Sequence, residues 1–369
     1  MATNKRKISG FDCRDYSVAW ICAVSSELAA SRAMLDRVHA DIATDLGDSN
    51  IYEFGSIGPH NIVMACLGTY GTNNAAHVAT NMTRSFPSLR IRLMVGIGGG
   101  APGEVVDIRL GDVVVGQRVM QYDMGKIGPG GQFTRAPLVS NIHQELSTAL
   151  SRMKAIHESE PSIIPQLINA MIEGNPSMVR YGHPAHLQDR LFISSYNHDP
   201  SFTSCEECDV AMLKARPSRS NHYLRIHYGA FASGNSVWKD GITRDKLARE
   251  LDIICFEMES AGFIGHFPCL SIRGICDYSD SHKSDDWQLY AAAVAAAYGK
   301  EFLLQIHKRH GIPKGPGPRT EVDSNSAEAH QKKMMDLLAF HEMHVRRSNI
   351  RSALPTTCEW FPRNEKYQA

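Results

Sequence analysis

The residues best suited to chemistry cluster between Cys255 and Ser281, in the stretch CFEMESAGFIGHFPCLSIRGICDYSDS. Two apolar runs flank a short small-residue segment, and each run delivers a carboxylate at its edge. The first, Ile253 to Met258, leads into Glu257-Met258-Glu259, where strand alternation puts both glutamates on one face and Met258 on the other. The second, Pro268 to Cys276, is as densely apolar as a buried strand, and Asp277 stands where it ends. In open α/β sheets the carboxyl edge of the strands is the ligand edge, and carboxylates there can act as acids, bases or hydroxyl acceptors. The same residue types also cap helices. Asp277, Ser279, Asp280 and Ser281 precede a helix that begins near Asp285-Asp286-Trp287, and Glu259 opens one over Ser260 to His266. A further carboxylate, Glu27, follows the apolar run Tyr16 to Val24 and opens a helix over Leu28 to Val38. By spacing alone it is a favourable charge in a first helical turn.

The elements that must position these groups alternate along the chain. Ile51 to Ile57 and Asn61 to Gly68 read as a hairpin across Gly58-Pro59, followed by a helix over Ala75 to Arg84. Ile91 to Val95 is a buried-type strand running into the glycine cluster Gly96 to Gly103. That cluster partly fits a dinucleotide fingerprint, but no helix opens on its last glycine, strand-like Val105 to Val115 follows, and no Gly-Lys-Ser/Thr is present. Both nucleotide motifs are rejected; what the glycines supply is close backbone approach and free amides around a small ligand. Val113 to Val119 leads into Gln121-Tyr122-Asp123, Gly125 to Arg135 is a glycine-rich loop, and Ser140 to Ile156 has helical spacing. Residues 158–225 are rich in proline, lack sustained periodicity and read as a large insertion. Within it Cys205-Glu206-Glu207-Cys208 is half a zinc site, which His198 and His222 could complete only if the fold brings them close. Spacing alone favours two loop cysteines, so no metal is expected. Ile226 to Val237 restores a strand, Asp240 to Leu251 a helix, and Asp286 to His307 a last long helix.

Composition narrows the classes. With 369 residues, 43% of them hydrophobic, the chain can bury a substantial core. Lys plus Arg and Asp plus Glu are both 39, so no overall field favours nucleic acid or an anionic membrane. The amino terminus lacks an apolar signal region, and no run of about 18 apolar residues occurs. The nine cysteines are an odd number, and reduced thiols in a cytoplasmic setting are expected.

The phrases FEMES and RGICDYSD resemble the ribose- and purine-binding strands of the purine and uridine phosphorylase superfamily, which includes nucleosidases as well as phosphorylases. The resemblance spans Tyr16 to His310. It implies a three-layer α/β/α fold around a central mixed sheet, with a catalytic domain over 15–310, a linker over 311–326 and a helical tail over 327–369. The tail phrase LLAFHEMHVRRSNIRSAL resembles the connector that joins this enzyme domain to an NTPase in fungal multidomain immune receptors. In the first strand-to-helix loop, phosphorylases of the hexameric branch carry Gly-Asp-Pro-x-Arg for phosphate. The nucleosidase branch carries a water-activating glutamate, matched here by Glu27. Phosphorylases of the hexameric and uridine type also carry an arginine two residues before the first glycine of the glycine loop, where this chain has Met94.

By this resemblance Asp277 is the acid for the leaving purine, its carboxyl kept protonated by burial, and Glu27 is the base for water. Glu259 accepts ribose hydroxyls, Met258 lies beneath the sugar, Trp238 stacks on or edges the base, and Phe256, Val237, Gly98, Gly99 and Asp123 line the site. Arg180, Arg190, Tyr196 and His198 of the insertion either bind phosphates or are ordinary surface residues. The expected activity is hydrolysis of a purine nucleoside or nucleotide, without cofactor, by a homo-oligomer that binds neither nucleic acid nor membrane. Two alternatives stay open: a phosphorylase whose phosphate arginines are Arg92, Arg118 or a neighbouring subunit's, and a silent module that only senses a nucleoside.

Overall fold

The computed structural model describes residues 7–219 and 224–306. His222, the linker and the tail helix lie outside them. The described strands, in chain order, are β1 Val18–Cys22, β2 Arg37–Val38, β3 Tyr52–Ile57, β4 His60–Cys66, β5 Ile91–Gly100, β6 Val113–Gln121, β7 Gly125–Ile127, β8 Phe133–Arg135, β9 Leu138–Asn141, β10 Ile226–Ser233, β11 Ile253–Glu257 and β12 Leu270–Asp277. The helices are α1 Ser25–Ala33, α2 Thr72–Ser85, α3 Gln144–Ser159, α4 Ile164–Gly174, α5 Gly241–Leu251 and α6 Gln288–Leu304.

All five residues of β1 are buried, as expected of a strand covered on both faces. It lies parallel between β4 and β5, with Val18 opposite Ile62 on one side and Ile91 on the other. From β5 the sheet continues through β12, β6 and β10 to β11, and from β4 through β3 to β2. β12 runs parallel to β5 but antiparallel to β6, so the sheet is mixed. β11 then returns to β5, pairing Cys255 with Gly100 and Phe256 with Gly99. The strands β5, β12, β6, β10 and β11 therefore close on themselves, which swings the end of β11 across from the ends of β12 and β1.

Helices cover the sheet on both sides, giving the three layers the resemblance implied. α1, α3, α4 and α6 bury their apolar faces with Trp20, Leu93 and Ile272, while α2 packs with Ala19, Ile21 and Met94 on the other face. α6 is buried almost all round, as its alanine-rich sequence dictates for a helix enclosed by other elements. Among the described residues no helix is long and apolar enough to cross a membrane.

Several local expectations are corrected. The glycines at 96–100 continue β5 rather than forming a loop, because β12 and β11 supply hydrogen-bonding partners on both sides. Residues 105–112 form no strand, Val105 is 96% exposed, and the strand begins only at Val113. The first helix stops at Ala33, and Arg37–Val38 joins the sheet edge. Ser260–Phe263 is a single 3-10 turn. The insertion contains α4, whose Ile164, Ile168 and Met171 share one buried face at helical spacing, with Pro165 in its first turn.

The insertion is fastened by buried charge. Asp112 accepts hydrogen bonds from Arg219 Nη1 and Nη2 at 2.7 Å each, from the Arg225 amide at 2.9 Å, and pairs with His227 Nε2 at 2.9 Å. Burial pushes its carboxyl up, but Arg219 and His227 outweigh this and hold it below the ordinary carboxylate range. A depressed native pKa stabilises the fold above the unfolded value of about 3.9 and loses that contribution as pH falls through the native value. Asp112→Asn is expected to cost roughly 3 to 5 kcal/mol, since it removes the buried carboxylate that answers both Arg219 and His227. Denaturant unfolding of both proteins across pH checks this: the gap is constant near neutrality and narrows in acid.

Candidate active site

The carboxylates converge because four elements end at one place. Glu27, in the first turn of α1, folds back so that Oε2 accepts the Ala23 and Val24 amides at 2.7 and 3.2 Å. Its Oε1 accepts the Ile97 amide of β5 at 2.8 Å. The residue is fully enclosed, and burial pushes its carboxyl above the ordinary range despite Arg273 and three amides. Strand β11 ends at Glu257, and the chain then turns so that Glu257 and Glu259 both reach Arg273 Nη2, at 2.5 and 3.0 Å. Glu257 also accepts the amides of Glu259 and Ser260 and the Ser260 hydroxyl, which commits it to holding the turn. Glu259 accepts the Met258 amide through the same Oε2 that meets Arg273. Burial, against the pull of Arg273 and with the repulsion of Glu257 and Glu27, pushes Glu259 up to about 7.

Arg273, in the middle of β12, was not anticipated as a functional residue. It is completely buried, and the three glutamates hold its guanidinium above its ordinary value against burial. One positive charge faces three carboxylates, so the cluster remains net negative unless protons enter it. Gly96 lets β5 pass between them, because a Cβ there would collide with Glu27 Oε1 and Arg273 Nη1. Gly99 does the same beside Asp277, where a Cβ would strike Ser279 Oγ.

Asp277 closes β12 and is buried. Its Oδ1 accepts the Ser279 amide at 2.8 Å, with Ser279 in the left-handed region at φ 52°. Its Oδ2 accepts Lys283 Nζ at 2.7 Å. Burial pulls the Lys283 ammonium down, and the Asp277 carboxylate reverses this and holds it above its ordinary value. Burial was expected to hold the Asp277 carboxyl protonated; the structure adds an ammonium against it, so Asp277 and Lys283 form a buried pair at this end of the site. Arg244 steadies the loop between them by donating to Tyr278 O at 2.8 Å and Asp280 Oδ2 at 3.2 Å.

These groups share a cavity of about 340 Å³ whose wall includes Glu27, Gly98, Gly99, Val237, Trp238, Phe256, Met258, Glu259 and Asp277. Asp123 is not in that wall. It accepts the Asn235 amide at 3.0 Å and the Asn235 side-chain nitrogen at 3.2 Å, and so anchors the loop that carries Val237 and Trp238. Trp238 gives its indole N–H to Tyr122 OH at 2.8 Å, so it offers the cavity its ring and not its polar edge. Sequence reading missed Tyr70, Ser279, Lys283 and Gln288, which also line the cavity. Lys283 is the one lysine or arginine in that wall among the described residues. Arg92 stacks over Phe267 at 4.5 Å and Arg118 reaches Asp252 at 3.4 Å, so neither turns into the cavity. Arg180, Arg190, Tyr196 and His198 are likewise absent from its wall.

A sequence model described as the phosphorylase superfamily matches residues 17–303. The chain belongs to that superfamily. A nucleotide-binding leucine-rich repeat (NLR)-like protein of Hyaloscypha variabilis is 43% identical over 299 residues, which cover 79% of this chain and 29% of the relative. The chain thus spans less than a third of that protein. A 5′-methylthioadenosine/S-adenosylhomocysteine nucleosidase of Mycobacterium bovis is 26% identical over 78% of this chain and 95% of its own length. The ATP nucleosidase Cap17 of Escherichia coli is 23% identical over 78% of this chain and 51% of its own length. Among solved structures, a 5′-methylthioadenosine/S-adenosylhomocysteine nucleosidase from Neisseria meningitidis, in complex with methylthio-immucillin-A, has a TM-score of 0.52 at 18% identity. It covers 79% of this chain and 99% of that one, which shows the shared superfamily fold.

Arg273 gives this superfamily member a test of its charge cluster. Arg273→Met leaves three buried carboxylates without their cation and is expected to cost about 3 to 5 kcal/mol. The loss is larger at alkaline than at mildly acidic pH, where the carboxylates regain protons; denaturant midpoints at both pH values check it.

Proposed function

We propose that the chain is a purine N-ribosyl hydrolase, cleaving the glycosidic bond of a purine nucleoside or nucleotide to free base and sugar. The observation that carries the reading is the pairing, across one cavity, of a buried carboxylate without a cationic phosphate cradle at one end and an Asp277–Lys283 acid pair at the other. Cleavage builds positive charge on the ribose and negative charge on the leaving base. With Glu27 ionised, as water activation requires, the Glu27, Glu257, Glu259 and Arg273 cluster is net negative and favours the developing cation. Glu259 Oε1 is free to accept ribose hydroxyls, Met258 provides an apolar surface beneath the sugar, and Glu27 takes the proton of the attacking water. At the other end Asp277 faces the purine's ring nitrogen and gives it the proton that the leaving base needs, with the Lys283 ammonium beside it offsetting the charge left on the carboxylate. Trp238 and Phe256 form the aromatic wall for the base. The names of the similar proteins, which print methylthioadenosine, adenosylhomocysteine and ATP, support an adenine-type base.

Phosphorolysis is disfavoured because a phosphate dianion would enter beside a net negative cluster with no arginine in the wall among the described residues. The NLR-like relative favours a second reading, a module that binds a nucleoside without turning it over. Base release by the wild-type chain separates the two.

The experiment is a base-release assay on adenosine, inosine, methylthioadenosine, AMP and ATP. Asp277→Asn is expected to lower the rate about 10²-fold to 10⁴-fold, equivalent to roughly 3 to 5 kcal/mol of barrier. Glu27 must be ionised to act, so the rate falls in acid at a pH above the ordinary glutamate value of about 4.3, and Glu27→Gln removes that limb with most of the activity. Full activity in Asp277→Asn, or no base release from any substrate by folded wild-type protein, overturns the reading.

A further inference from the structure

The insertion carries a second group of reactive side chains that the proposed reaction does not use. Cys205 Sγ, Cys208 Sγ and a ring nitrogen of His198 all lie within 4.8 Å of one another. Both thiols are free, with Cys208 buried and Cys205 half-buried. Beside them stands His282, from the loop that follows β12. Its ring centroid is 5.7 Å from that of His198, and its carbonyl accepts from Cys205 Sγ at 3.6 Å. The His282 side chain is 4% exposed, and its Nδ1 comes no closer than 3.8 Å to Asp280 Oδ1. Neither ring nitrogen has a hydrogen-bond partner. A buried polar group left without a partner costs about 1 to 3 kcal/mol, so an imidazole held this way by stacking on Phe192 at 4.1 Å calls for a ligand of its own.

We propose that His198, Cys205 and Cys208, completed by His282, bind one zinc ion. Two thiolates and imidazole are the donors zinc prefers, and Cys-x-x-Cys is its usual ligand spacing. Bonds of about 2.3 Å to sulfur and 2.0 Å to nitrogen place two tetrahedral sulfurs, or a sulfur and a nitrogen, roughly 3.5 to 3.8 Å apart. The Cys205, Cys208 and His198 atoms need therefore contract by only about 1 Å, while His282, outside that 4.8 Å group, turns its ring toward them to complete the set. Binding releases the two thiol protons to solvent. The expectation of two unconnected loop cysteines rested on spacing alone; the fold brings His198 up to them, as the sequence allowed, and places beside them His282, which the sequence did not single out.

The ion has a structural role, because the cluster sits at the junction between the insertion and the loop that bears Asp277 and Lys283. The His198 amide donates to Ser281 Oγ at 2.9 Å, and Arg190 Nη1 donates to Cys205 O at 2.7 Å. A cavity of about 550 Å³ lined by Arg190, Cys205, Asp277 and His282 lies against the same junction. Zinc there pins the insertion to Ser281 and His282 and thereby to the acid pair, independently of which substrate the neighbouring cavity takes.

The test is metal content of the full chain, expressed with added zinc, desalted, and analysed by plasma mass spectrometry. About one zinc per chain is expected, falling below about 0.2 in the Cys205→Ser/Cys208→Ser double variant and dropping in His282→Ala, while Cys13→Ser keeps it. Cobalt exchanged into the wild type should give thiolate-to-cobalt charge-transfer bands. Should the double variant fail to fold, those bands decide the matter by themselves. Wild-type protein that takes up less than about 0.1 metal per chain from excess zinc, cobalt-loaded protein without the bands, undiminished zinc in the double variant, or a Cys205–Cys208 disulfide in freshly purified metal-free protein each overturns the proposal.

Discussion

A single buried guanidinium serving three buried carboxylates is the constraint around which one end of the cavity is built. Arg273 has 0% exposure and meets Glu257 and Glu259 directly, with Glu27 across the Gly96 backbone. Burying that many like charges is tolerable only when amides and a cation share the load, which is why Glu27 takes three backbone amides and Glu257 two. The arrangement also demands the sheet closure, since β11 must pair with β5 for its glutamates to face β12. Fold and charge cluster therefore specify one another. The residual negative charge is useful to a reaction whose sugar becomes cationic and hostile to one that imports an anion.

The far end of the cavity is organised differently. Asp277 is fixed by its own strand, but its charge environment depends on a loop, and that loop is held by Arg244 from α5 and by contacts from the insertion. Tyr278 joins the same framework, since its hydroxyl meets Asp189 and Arg216 of the insertion. The insertion thus acts as a buttress for the acid pair, and its polar, proline-rich sequence reflects side-chain anchoring more than a core of its own.

Much of this is legible in the sequence. Position at strand ends made Glu259 and Asp277 candidates alongside a capping role, and Glu27 only a helix-opening charge; it was the resemblance of FEMES and RGICDYSD, and of the first strand-to-helix loop, that singled all three out. Arg273 was hidden for a physical reason: inside an apolar run it reads as part of a buried strand, and only the convergence of Glu27 and Glu257 from distant elements gives its charge a purpose. Lys283 was obscured by its place in a capping loop. Asp123 was drawn into the site by its position at a strand end, whereas its contacts make it an anchor for Asn235. The β11–β5 pairing and the meeting of Cys205 with His282 depend on long-range register, which no local pattern encodes.

The central claim is that water, not phosphate, receives the sugar at the Glu27 end of the cavity. Its most direct measurement is the identity of the sugar released from a turned-over purine nucleoside in buffer containing excess phosphate. The account predicts a free reducing sugar and a rate unchanged by phosphate. Formation of the sugar 1-phosphate, with a strict requirement for phosphate, would contradict it.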